Sequence, residues 1–66
     1  MQLNLREAII QKVQDKNDKE LLEVINSSIE GDERALPGLG VLFEIIWTHC
    51  EQDTQHQLVE TLKSNI

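Results

Sequence analysis

The chain has 66 residues, with 12 Asp and Glu against 6 Lys and Arg, a formal net charge of −6. A chain of this length holds one domain and buries only about 60% of its unfolded surface, so its stability calls for a disulfide, a metal or oligomerisation. The acidic balance argues against a role on DNA or RNA and against anionic membrane surfaces, both of which need clustered bases.

The single cysteine makes no internal disulfide. No ligand cluster suggests a structural metal, which leaves oligomerisation. No basic segment followed by an apolar run marks a leader, and the expected compartment is intracellular and reducing.

Asn4 followed by Glu7 reads as a helix cap with its reciprocal partner three residues on. The first helix is expected over 5–14, with Leu5, Ile9 and Val13 in one stripe and Ile10 beside it. Arg6 falls inside that arc. Either its stem lies along apolar surface while its head reaches water, or it pairs with Glu44, the one charge on the third helix. Asp18 reads as the cap of a second helix over 19–30, whose apolar face holds Leu21, Leu22, Val24, Ile25 and Ile29. Gly31 closes it. The charged connector Asp32-Glu33-Arg34-Ala35 leads to the most apolar part of the chain.

That part holds the only Pro, Phe, Trp and Cys and two of the three Gly. Pro37 suits a first helical turn, and a third helix is expected over 37–50. At about 100° per residue, Leu36, Leu39, Leu42, Phe43, Ile46, Trp47 and Cys50 fall on one broad face, and Val41 and Ile45 roughly opposite. A helix apolar most of the way round is a buried one, and this one is too short to span a bilayer. It reads as the central element of a small core or as half of a dimer seam, whose interface would be Leu36, Leu39, Leu42, Phe43, Ile46 and Trp47. Gly38 and Gly40 are costly in a helix. They read as a tight entry, as a close approach of a neighbouring helix, or as an anion site at a helix start. Asp53 or Thr54 is expected to cap a fourth helix over 54–63, with Leu58, Val59, Leu62 and Ile66 as its stripe. No segment alternates with period two. The expected fold is all-α: a single domain of about four short helices around a very apolar central one, completed by dimerisation.

His49, Cys50, Asp53 and His56 are the one constellation that invites a chemical reading. On an unbroken helix His49, Asp53 and His56 share a side, a spacing suited to a metal. A helix break between Cys50 and Asp53 removes that alignment, and neighbouring His49 and Cys50 do not face each other as a nucleophile pair would. Cys50 reads as a small buried hydrophobe. A lone Glu44 defines no reaction, because an enzyme needs positioned partners. No cofactor, metal site or catalytic residue is expected.

The run Leu3-Asn4-Leu5-Arg6-Glu7-Ala8-Ile9-Ile10, followed by Leu36-Pro37-Gly38-Leu39-Gly40-Val41-Leu42-Phe43-Glu44-Ile45-Ile46-Trp47-Thr48-His49, resembles the small acid-soluble spore protein I family, minor spore proteins of Bacillus and related endospore formers. The resemblance implies synthesis in the developing forespore and residence in the spore core. It carries no catalytic or binding motif. The expectation is a non-enzymatic structural or protein-interacting protein, a homodimer or a partner of another spore protein, and no membrane protein. Two alternatives stand beside it: an amino-acid store degraded on germination, and a DNA-binding module of the last two helices, against which the net charge speaks.

Overall fold

Residues 4–66 are described by a computed structural model; Leu3, the first residue of the resemblance above, lies outside the described residues. They form α1 (Leu5–Val13), α2 (Asp18–Glu30), α3 (Leu36–His49) and α4 (Gln52–Lys63), with a 3-10 turn over Glu33–Ala35 leading into α3. The fold is all-α, and no strand occurs among the described residues.

The helix starts follow from side-chain capping. Asn4 is extended, and its Oδ1 accepts the Glu7 N–H at 2.8 Å. At α2 the cap is Asn17, not Asp18. Asn17 Oδ1 accepts the Glu20 N–H at 2.9 Å, and the Glu20 carboxylate accepts the Asn17 N–H at 3.1 Å. The reason is reciprocity. Three residues beyond Asn17 stands a carboxylate that can answer, whereas three beyond Asp18 stands Leu21. Asp18 becomes the first helical residue, where its charge meets the positive end of the helix dipole.

Gly31 ends α2 with an extended backbone, φ −90° and ψ −154°, rather than a left-handed one. A Cβ at Gly31 would lie 2.9 Å from the Ser27 carbonyl oxygen, so glycine is required by a close pass of backbone. Asp32 then caps the 3-10 turn by accepting the Arg34 N–H at 2.8 Å. Helix α3 begins at Leu36, one residue before the expected start, with Pro37 in its first turn. Cys50 and Glu51 are both extended and break the chain between α3 and α4. Glu51 stands at the N-cap of α4 without a side-chain cap bond, so neither Asp53 nor Thr54 caps it; both lie inside the helix.

Helices α1 and α2 pack on α3. Among the described residues Val41 alone is buried, at 9% exposure. Val41, roughly opposite the broad apolar face of α3, lies deepest, while on that face Leu36, Phe43 and Ile46 are exposed and Leu39, Leu42 and Trp47 half-buried. Gly38 explains the difference. A Cβ on Gly38 would come within 3.1 Å of Ile9 Cδ1, so the missing side chain lets α1 lean in on this side of α3. Gly38 thus follows the close-approach reading, whereas Gly40 faces open space.

The result is an open bundle. The Cα radius of gyration is 13.1 Å, against about 11 Å for a compact domain of this length. The surface is 5845 Å², against about 4,300 Å² for a compact monomer of this mass.

Because nothing surrounds a Cβ at Gly40, Gly40→Ala should stabilise the protein by up to about 1 kcal/mol. It should raise the thermal midpoint by several degrees in circular dichroism melts. Gly31→Ala should lower it, because the Ser27 carbonyl must shift.

Candidate functional site

The described surface is organised by apolar grooves on either side of Phe43. Phe43 and Trp47, one turn apart, hold their rings at 5.6 Å between centroids and 35° between planes, inside the range of favourable aromatic pairs. Between α3 and α4 lies an open groove of about 600 Å³ lined by Phe43, Glu44, Trp47, Leu58, Val59, Thr61 and Leu62. Between α2 and α3 lies a smaller one of about 250 Å³, lined by Ile25, Ile29, Leu39, Leu42, Phe43 and Ile46. Phe43 lines both, so the two grooves form one continuous apolar face.

Of the six residues expected at an interface, Leu39, Leu42, Phe43, Ile46 and Trp47 line these grooves. Leu36 lines neither. Ile25, Ile29, Val59 and Leu62 complete the face from α2 and α4. Their signal in the sequence is the amphipathic stripe of each helix, which by itself does not say whether the stripe is covered.

Helix α4 is tied to α3 by a polar contact that pattern reading does not find. Gln55 Nε2 donates to the Trp47 carbonyl oxygen at 2.8 Å, satisfying one of the carbonyls left open at a helix C-terminus. The same oxygen accepts the Cys50 S–H at 3.6 Å. Cys50 is therefore half-buried at the α3–α4 corner, not a core hydrophobe. Nothing in the composition separates Gln55 from its neighbours Gln52 and Gln57; only the geometry of the Cys50–Glu51 break brings it to Trp47.

That break also disperses the candidate metal residues. His49 ends α3, while Asp53 and His56 belong to α4. His49 Nδ1 sits 2.8 Å from the Ile45 carbonyl oxygen; a carbonyl only accepts, so this nitrogen carries the proton. Among the described residues no group of three His, Cys, Asp or Glu is placed to hold a metal ion.

Arg6 and Glu44 meet at the rim of the face. Arg6 Nε donates to Glu44 Oε1 at 2.6 Å, and a terminal guanidinium nitrogen donates to Oε2 at 2.7 Å. This bidentate fork joins α1 to α3 with two parallel charge-assisted hydrogen bonds. These bonds hold the Glu44 carboxyl below its ordinary range and raise the Arg6 guanidinium. Both side chains remain well exposed, so the fork sets the angle of α1 on α3 more than it stabilises the fold.

The described residues form a small open helical bundle whose apolar side chains line grooves at its surface. The family model for small, acid-soluble spore protein I matches residues 3–66. Small, acid-soluble spore protein I of Bacillus subtilis (strain 168) is 42% identical over 67 residues, covering all of this chain and 94% of the relative. The Bacillus licheniformis protein of the same description is 43% identical, covering 96% of the relative, and that of Bacillus cereus (strain G9842) is 40% identical, covering 97%. The chain belongs to the small, acid-soluble spore protein I family. No solved structure matches it.

Arg6→Ala, Glu44→Gln and the double variant should show non-additive stability losses in denaturant melts. The pH dependence has a definite sign. Glu44 titrates lower in the folded chain than in the unfolded one, so its contribution is present at neutral pH and is lost as the pH falls through its depressed pKa. The wild-type midpoint should fall on acidification through that range, and Glu44→Gln should remove part of the fall. Gln55→Ala should cost about 1 kcal/mol and speed hydrogen exchange of α4 amides more than those of α1.

Proposed function

We propose that this chain is a non-enzymatic minor protein of the spore core, made in the developing forespore, which acts by binding protein through the apolar face of α2, α3 and α4. The observation that carries the reading is Phe43, half exposed and shared by both grooves, so that one apolar surface crosses three helices. Surfaces of this kind mark protein contacts on soluble proteins. Family membership supports the link to sporulation. The scatter of His49, Cys50, Asp53 and His56 supports a non-catalytic role, because catalysis needs partners held in mutual reach. No described helix is long and apolar enough to cross a membrane.

The storage and DNA-binding readings draw less from the molecule. A reservoir consumed for its amino acids has no use for side-chain caps, an interhelical Arg6–Glu44 fork and a Gln55 tether. A DNA-binding α4 would need bases along its length, and Lys63 is its sole Lys or Arg.

Immunodetection in fractionated spores of the bacterium that encodes the chain tests the proposal. The protein should appear in the core fraction of dormant spores and persist through early germination. Rapid loss on germination would favour storage, and absence from the core fraction would refute the placement.

A further inference from the structure

We propose that the occupant of the apolar face is a second copy of this chain, related by a two-fold axis near Phe43, so that α4 of each copy covers the α2–α3 groove of the other. The inference rests on the interaction reading above and names its partner.

Area is the first ground. The chain exposes 5845 Å², about 1,500 Å² more than a compact monomer of its mass. A standard interface takes about 800 Å² from each partner. One contact of ordinary size therefore fits within the excess, and no larger partner is needed to cover it.

Charge is the second. Among the residues lining the two grooves Glu44 is the only ionised one, and Arg6 already holds its carboxylate. Two chains of net charge −6 meet on this face without bringing unpaired like charges together. The same neutrality offers a basic or acidic partner nothing to recognise.

Shape is the third. Phe43 lies between a concave α2–α3 groove on one side and the exposed Val59 and Leu62 of α4 on the other. A two-fold contact joins a patch to itself, so features flanking the axis exchange partners. An axis at Phe43 sets the exposed Val59 of each copy on the Ile29 side of the other, where Ile29 is 63% exposed in the single chain and Val59 49%.

The test is sedimentation equilibrium of the full chain over a concentration series in reducing buffer, with circular dichroism alongside. The wild type should keep the dimer mass into the low micromolar range. Ile29→Asp and Val59→Asp change side chains exposed in the single chain, so each should retain helicity and sediment at half the wild-type mass. A Phe43→Cys, Cys50→Ser double variant should oxidise to a covalent dimer, because a disulfide forms only where two Cα atoms lie within about 7 Å; Lys63→Cys, Cys50→Ser should not. A wild type monomeric at every concentration overturns the second copy and leaves the interaction reading to another protein. A dimer that withstands both Asp variants, or that fails to cross-link at Phe43→Cys, overturns the arrangement. If an Asp variant unfolds, the cross-link decides.

Discussion

Helix α3 carries more apolar circumference than the remaining helices of a 66-residue chain can cover. Leucine, isoleucine, phenylalanine and tryptophan occupy nearly every direction around it, while α1 and α2 together offer two narrow stripes. One side closes, with Val41 buried, Ile9 against Gly38 and the Arg6–Glu44 fork at its edge. The other stays open from Ile29 across Phe43 to Val59. Everything else follows from that imbalance: the long radius of gyration, the excess surface, and the reading of the molecule as something completed from outside.

Several polar residues set the geometry of the helices. Asn4 and Asn17 start helices, Asp32 shapes the turn into α3, Gln55 holds α4, and the Arg6–Glu44 fork sets the angle of α1. The acidic net charge of −6 leaves the apolar face flanked by a charged surface.

The helices themselves were legible in the sequence, because apolar spacing and capping residues are local signals. The resemblance carried by the Leu36–His49 segment was legible too. Three details were not. Asn17 rather than Asp18 caps α2 because the decisive partner, Glu20, answers only one of two adjacent candidates. The side of α3 that α1 covers was not legible, because the helix is apolar in almost every direction, so periodicity has little contrast, and the missing side chain at Gly38 decides where α1 sits. The tether of α4 escaped because it depends on one glutamine among three and on two extended residues, Cys50 and Glu51, whose effect is spatial.

The corner between α3 and α4 has an optical consequence. Trp47 is the only tryptophan, and the chain has no tyrosine. It is half-buried, stacked on Phe43, and its own carbonyl receives the Gln55 amide. The indole therefore reports on a single place, the seam where α4 meets the bundle. Its emission maximum reads how wet that seam is: blue where α4 packs over the indole, red where water reaches it. The protein carries its own fluorescent probe of that seam, with no label attached.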